Sequence, residues 1–532
     1  MRLVLLLACL SLALPLSAAE LLLVNGRIWT GDPDLREASA IAIRDGRIVA
    51  VGDEATAAAA LPAGTTPIDL GGRRVVPGIN DAHVHLGAPP MATFLSLPAP
   101  DPGSAEVEAA LAAEARDGDG WIMGDIGAAV WNDPAWHQAR LDTLQPDRPV
   151  MLQVFTGHGT LLNTAAQRAL GIDPAVEVPG GWYGSAEGGF DGRLYEYAQW
   201  RNLSLAPPQP DARETKSIQL YVDATLRWGT TSLQAMTWIR PERFVELWRA
   251  SGAPTRLRLV RLPLPGSFDE PVVADALARH PPGAPRVTIA GTKWIIDGTP
   301  VEQAAPLAVP YPDTGATGRL NFDRARIEAL LREALAREDQ LLLHVSGDVA
   351  AATVMDAMAA IAAPAQWRAR RLRFEHGDGL TPALMARAVQ FGIVVVQNPS
   401  HLAMPGDHPF TALVRERRFS PLSDVLEAGL PLALGSDGPP NPWLNMMFAL
   451  APTTRPDQAL TREQVLRAYT AGSAFAEFAE QEKGRLAPGL LADLAVLSQD
   501  VLDPALPLEA LPATQSVLTV VDGEIAWRDP AF

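Results

Sequence analysis

Hydrophobic positions follow two rhythms along this chain. Near both ends, short apolar runs are punctuated by turn residues: Leu21–Ile28 and Ala40–Gly52 early, Ala492–Leu497 and Val517–Ala526 late. Each end carries an Asp-Gly pair between apolar flanks, Asp45-Gly46 and Asp522-Gly523. Glycine accepts the positive φ of a two-residue hairpin turn, so both pairs predict hairpins. Strands at both ends imply one small β domain assembled from residues 20–76 and 484–532. Between them, apolar strand-like runs alternate with Ala/Arg/Glu/Leu stretches of helical character, the pattern of βα units and a parallel sheet. Candidate strands are Thr230–Met236, Leu257–Leu262, Val287–Ile296, Gln340–Val345, Leu372–His376, Gly392–Gln397 and Pro431–Ser436. A further strand ending at His85 brings the count to that of a closed (β/α)8 TIM barrel, an α/β fold, over residues 77–483. Residues from about 88 to 212, rich in Pro, Gly and Trp, break this rhythm and predict an insertion after the first barrel strand, near the barrel mouth.

The first residues obey a different logic. Arg2 supplies a positive start, Leu3–Leu16 an apolar run, and Ser17-Ala18-Ala19 a small-residue cleavage site before Glu20. Residues 1–19 therefore read as a removable export signal, and the run is short of the roughly 20 residues a spanning helix needs. The expected location is exported, periplasmic or secreted, with no stable membrane insertion after cleavage. Removal of the signal takes away Cys9, the single cysteine, leaving neither disulfides nor thiolate ligands. The alternative is a lipid anchor through Cys9. A formal charge of −17 argues against nucleic acid and anionic membrane surfaces as partners, while 48% hydrophobic residues supply an ample core.

Candidate chemistry begins at Asp81-Ala82-His83-Val84-His85. Strand side chains alternate faces, so Asp81, His83 and His85 point one way, and two imidazoles on one face can share a divalent cation. An isolated His-x-His is more often a pair of satisfied core histidines, so the reading depends on partners. His344, His376 and Asp437 each close a predicted strand, and in a parallel barrel all such ends converge on one rim. Lys293 lies inside the apolar run Ile289–Ile296. The chain has 44 basic residues, yet only Lys216, Lys293 and Lys483 are lysines. A lysine kept where arginine is the habit points to chemistry that guanidinium cannot perform, since a neutral amine can add carbon dioxide and become a bridging carbamate. A snorkelling or ion-paired lysine fits the spacing equally well.

These residues resemble the amidohydrolase superfamily, and within it amidohydrolase family 3, the metal-dependent hydrolases that include the N-substituted formamide deformylases. The resemblance covers nearly the whole chain after the signal. It runs through Val76-Pro77-Gly78-Ile79-Asn80-Asp81-Ala82-His83-Val84-His85, Lys293 with Asp297-Gly298, and His344 with Gly347-Asp348. It continues through Arg373-Phe374-Glu375-His376, Gly435-Ser436-Asp437 and Lys483-Gly484-Arg485-Leu486-Ala487-Pro488-Gly489. It implies that His83, His85 and Asp437 hold one zinc, that His344 and His376 hold a second, and that carboxylated Lys293 bridges them. Asp437 would also be the catalytic proton shuttle. His158, in Thr156-Gly157-His158-Gly159, resembles an insertion segment that reaches toward substrate, although a loop histidine bonded to backbone fits as well. The chain departs from the family at Trp121–Gly127, at Ser346, and at Gln397-Asn398-Pro399-Ser400-His401, all places where substrate would be read. His401 and His408 read as surface histidines near the mouth, His137 and His280 receive no role, and Trp294 reads as core.

The implied reaction is hydrolysis of a small-molecule amide. Zinc makes hydroxide available at neutral pH, Asp437 shuttles the proton to the leaving nitrogen, and Asp81 orients an imidazole from behind. Alternatives in the same site are peptidase or aminoacylase action and lactone or ester hydrolysis; outside catalysis stands a metal-binding protein without turnover. Manganese or iron would also suit the ligand atoms. A homo-oligomer is compatible with the sequence, which specifies neither acyl group nor amine.

Overall fold

The computed structural model describes residues 20–532 apart from 89, 99–100, 116–117, 187–188, 205–208, 265–279, 282, 313, 338, 404–415 and 417–418. The expected export signal, with Cys9, and His408 lie outside the described residues.

The middle of the chain builds an eight-stranded parallel barrel. Its strands, in chain order and each paired with the next, are Ile79–His85, Thr230–Thr237, Arg256–Arg261, Val287–Ile295, Leu341–Val345, Arg373–His376, Val394–Gln397 and Leu432–Leu434. Runs such as Leu341-Leu342-Leu343 and Val394-Val395-Val396 are apolar on both faces because helices cover the outside while side chains fill the inside. The seam between eighth and first strands is closed just beyond the ladder. Asp437 N donates to His83 O at 3.0 Å, and Ser436 N donates to the Asp81 carboxylate at 2.9 Å. Gly435 permits this approach, since a Cβ there would sit 2.5 Å from His83 N.

Both ends of the chain share a pair of sheets. One has four strands, all from residues 21–69; the other has six and interleaves Arg27–Trp29, Glu37–Ala38 and Arg74–Pro77 with Leu494–Leu497, Ser516–Val521 and Glu524–Arg528. Leu23, Ile41, Ile43, Val75, Leu494, Val496 and Leu518 meet between them in one apolar cluster. The Asp-Gly hairpins form as predicted, with φ of 55° and 74° at Asp45-Gly46 and 56° and 74° at Asp522-Gly523. The two turns also touch, Gly523 packing on the Gly46 backbone. The run Leu21–Ile28 is not one strand. Asn25 adopts φ 55°, a left-handed conformation that turns the chain, so Leu21–Val24 and Arg27–Trp29 enter different sheets.

The insertion is more ordered than its composition implies. It contains a six-stranded mixed sheet, from Ala92–Phe94 to Gly189–Glu196, and ends in the helix Tyr197–Leu203. Tyr197, fully buried, packs on Trp294 and Phe322, and its hydroxyl accepts a hydrogen bond from Ile295 N at 2.9 Å. This grip on the fourth barrel strand lies two residues from Lys293, and it makes Trp294 a core residue at 5% exposure. Among the described residues, no single helix is long and apolar enough to cross a membrane.

Candidate metal centre

Parallel strands deliver every predicted ligand to one rim. His83 and His85 come from the first strand, Lys293 from the fourth, His344 and His376 from the fifth and sixth, and Asp437 follows the eighth. His83 Nε2 lies 3.3 Å from His85 Nε2, 2.9 Å from Lys293 Nζ and 3.7 Å from Asp437 Oδ1, while His85 Nε2 is 3.6 Å from that same oxygen. The other oxygen, Oδ2, is 3.7 Å from His376 Nε2 and 3.9 Å from His401 Nε2. Two clusters result, His83/His85/Asp437 and His376/His401/Asp437, each with its donor atoms within 4.8 Å of one another. They share Asp437. His344 adjoins the second cluster, its ring 4.6 Å from that of His376.

A further layer aims these groups. His85 Nδ1 is 3.0 Å from the Met236 carbonyl, which leaves Nε2 free for the centre, and the His85 ring stacks on Trp238 at 5.9 Å. His83 Nδ1 lies 2.7 Å from Glu375 Oε2, and Glu375 is held by both arms of Arg373 at 2.7 and 3.0 Å. Arg373 in turn donates to Gln234 and to the Ala82 carbonyl. This is the carboxylate–imidazole pairing that fixes a metal-binding tautomer. Asp81 does not take that part. Its Oδ1 accepts from His83 N at 3.1 Å and from Ser436 N at 2.9 Å, so it fastens backbone at the barrel seam, and Glu375 is the carboxylate on the His83 imidazole. Asp297 likewise binds backbone, accepting from Ser346 N and Gly347 N, and lies 3.8 Å from His344 Nε2.

The backbone is strained where it presents ligands. His376 at φ 71° and Asp437 at φ 36° occupy the left-handed region, as does Glu196 at φ 53°. Such conformations cost about 1–3 kcal/mol each and concentrate at functional sites.

Electrostatics favour the metal-binding forms. Burial, reinforced at His83 and His85 by Lys293, lowers the pKa of the His83, His85, His344 and His376 imidazoles, keeping lone pairs available at neutral pH. Burial pushes the Asp437 carboxyl up, but the imidazoles of His83, His85, His376 and His401 outweigh it and hold the group well below the usual carboxylate value. Burial lowers the Lys293 ammonium against the pull of Asp437 and Glu375, favouring a neutral amine.

The residues fit divalent cations on structural grounds. His344 Nε2 is buried without a hydrogen-bond partner among the described residues, a costly arrangement for an imidazole with no ligand to serve. Neutral histidines around an ionised carboxylate form a donor set suited to zinc and its neighbours.

His158 approaches from the insertion. Its ring lies 4.5 Å from that of His344, and its Nδ1 pairs with Glu196 at 3.0 Å. Burial lowers this imidazole, but Glu196 and Glu302 reverse the effect and its pKa rises. Glu196 is itself held by Asn321 Nδ2 at 3.0 Å. Sequence reasoning missed Glu375, Glu196 and the Trp200–Trp238 pair, stacked at 5.7 Å with Trp238 38% exposed beside His85. It also read His401 as a surface residue. Arg373 and Glu375, two charges at a period of two in the candidate strand Leu372–His376, were the signal available.

Comparison with known proteins places the chain in a family. The model of the amidohydrolase family matches residues 66–526. The chain is 28% identical to Protein LONG AFTER FAR-RED 3 of Arabidopsis thaliana, covering 91% of this chain and 88% of that protein. It is 25% identical to an N-substituted formamide deformylase of Arthrobacter pascens over 96% and 98% of the respective chains. Its fold is similar to that of an uncharacterized metal-dependent hydrolase from Pyrococcus horikoshii, with a TM-score of 0.69 at 20% identity, covering 91% of this chain and 98% of the other. The family match over most of the chain, on a parallel barrel whose strand ends gather histidines around one carboxylate, establishes that this protein belongs to the amidohydrolase family and is a hydrolase of carbon–nitrogen bonds.

Proposed function

We propose that the chain hydrolyses linear amides, N-acyl or N-formyl amines, with two zinc ions held by His83, His85, Lys293, His344, His376 and Asp437. The observation that carries this reading is the position of Asp437, whose two oxygens each face a different histidine cluster. Bound divalent cations supply Lewis acidity, bringing the pKa of water toward about 7 and polarising a carbonyl. Lys293 is buried at 2% exposure beside His83, and burial lowers its ammonium pKa, which favours the neutral amine that adds carbon dioxide. The nitrogen would bond to the carbon of carbon dioxide as one C=O π bond opens, lose a proton to solvent, and leave an anionic carbamate that could serve as a cation ligand. Asp437, ionised among imidazoles, takes the proton of the attacking water and delivers it to the leaving nitrogen, yielding a carboxylate and an amine. His158, anchored through Nδ1 by Glu196, keeps Nε2 for the acyl side of the substrate. The similarity to a formamide deformylase over nearly the full length of both chains supports a small acyl group. Residues 1–19 support assembly outside the cytoplasm, where folding and metal loading would be coupled.

The test is amine release from a panel of N-formyl, N-acetyl and longer N-acyl amines, with esters, lactones and dipeptides alongside. Activity is expected on the linear amides, abolished by chelation and restored by zinc. Turnover confined to esters, lactones or dipeptides, or turnover indifferent to chelator, would overturn the reading.

A further inference from the structure

The turn after the seventh barrel strand brings a histidine to the metal centre that strand-end reasoning does not assign. His401 lies in the short 3-10 turn Pro399–Leu402, which starts two residues beyond Gln397. Its ring stacks on that of His376, with centroids 5.5 Å apart and planes inclined by 27°. Its Nε2 is 3.9 Å from Asp437 Oδ2, nearly matching the 3.7 Å separating that oxygen from His376 Nε2. Bonds of about 2.1 Å to a tetrahedral cation place neighbouring donor atoms about 3.4 Å apart. Both separations exceed that value by half an ångström or less, so modest side-chain movement would bring all three atoms onto one ion. His344 makes no comparable approach to Asp437; its Nε2 lies beside Asp297 instead.

Two observations on the same turn bear on its role. His401 Nε2 is also 3.2 Å from the Asp437 backbone carbonyl, a single weak contact that a cation would replace. Asn398, one residue past the strand, is 1% exposed, and neither polar atom of its amide has a hydrogen-bond partner among the described residues. Buried amides are rarely left unmet, so a bound group or ordered water is expected beside this turn.

We propose that His401 is a ligand of the second divalent cation, beside His376 and Asp437, so that this position is completed by a loop as well as by strand ends. The inference rests on the reading of the centre as binding two cations. The first position draws its histidines from one rigid strand; the second depends on how the 398–401 turn sits. The second cation is therefore the more easily lost of the two, and retention tracks His401.

The experiment loads the protein with zinc, measures stoichiometry, and titrates the ions out with a competing chelator for wild type, His401→Ala and His401→Gln. The glutamine variant can still donate to the Asp437 carbonyl, which separates loss of a ligand from loss of loop structure. Cobalt(II) substitution adds an absorption spectrum that reports ligand number. Expected are two zinc ions in wild type, with the second at least about tenfold weaker in both variants, the first unchanged, and an altered cobalt spectrum. Two ions held as tightly in both variants as in wild type, with an unchanged spectrum, would overturn the proposal; a raised KM in that case would assign His401 to substrate. Weakening in the alanine variant alone would also overturn it, assigning His401 to loop structure. A single ion in wild type would overturn the two-cation reading, and the proposal with it.

Discussion

Asp81 offers a sharp test of how the barrel seam supports the centre. Its carboxylate is 4% exposed and accepts two backbone amides, His83 N from the first strand and Ser436 N from beyond the eighth. Burial pushes the Asp81 carboxyl up to about 6, with the charge on Asp437 adding to the rise and hydrogen bonds from Ser436 and His83 restraining it. Relative to the ordinary value of 3.8, that difference is worth about 3 kcal/mol. Well below pH 3.8 the group is protonated in both folded and unfolded chains and contributes little. As pH rises toward 6 the unfolded chain ionises first, so the folded state loses stability, and the full cost is present above 6. Asp81→Asn keeps an oxygen for both amides but cannot ionise. Asp81→Ala strands two buried N–H groups at about 1–3 kcal/mol each. The assay is urea unfolding at pH 4 and pH 7.5 with chelator present, comparing the first transition because a chain of this size need not unfold in two states. The asparagine variant is expected to gain about 2.4 kcal/mol on wild type between the two pH values, and the alanine variant to lie below the asparagine variant at both. An asparagine variant that parallels wild type across this range, or an alanine variant equal to it, would refute the reasoning.

Other expectations follow from neighbouring residues. Glu375→Gln removes the charge that holds Arg373 and His83, leaving a buried guanidinium without its ion pair; a loss of about 3–5 kcal/mol in urea unfolding is expected, and a loss below 1 kcal/mol would contradict the pairing. The Glu477 side chain is 7% exposed, but Lys483 at 2.8 Å, aided by Arg258 and Asn80, outweighs desolvation and holds its carboxyl below the ordinary value. Its stabilising effect is present above the unfolded carboxylate pKa and lost as pH falls through the lower folded one, so Glu477→Gln should flatten part of the acid-unfolding profile; an unchanged acid limb would count against it. His158→Ala should raise KM about tenfold with little change in kcat on a linear amide, the signature of lost substrate binding, whereas a matching fall in kcat would place His158 in the chemistry.

The sequence disclosed the parts of this site that obey strand geometry. His83 and His85 alternate with apolar residues, and His344, His376 and Asp437 end apolar runs, so a parallel barrel must carry them to one rim. Features set by chain path were hidden. His401 reaches the centre on a turn whose course no periodicity encodes, and Glu196 arrives from the insertion through a left-handed residue. The insertion's own sheet was obscured because glycines interrupt strands such as Gly181–Ala186 and Gly189–Glu196. Asp81 was misdirected by the alternation itself. It does share a face with His83 and His85, but the closing seam offers backbone amides nearer than any imidazole.

The proposed centre is a pair of cations gathered by strand-end residues around Asp437 and Lys293. Plasma mass spectrometry of metal-loaded wild type and Lys293→Ala tests it most directly. About two zinc ions per wild-type chain, falling sharply in the variant, are expected; one ion per chain, unaffected by the substitution, would overturn the two-cation centre.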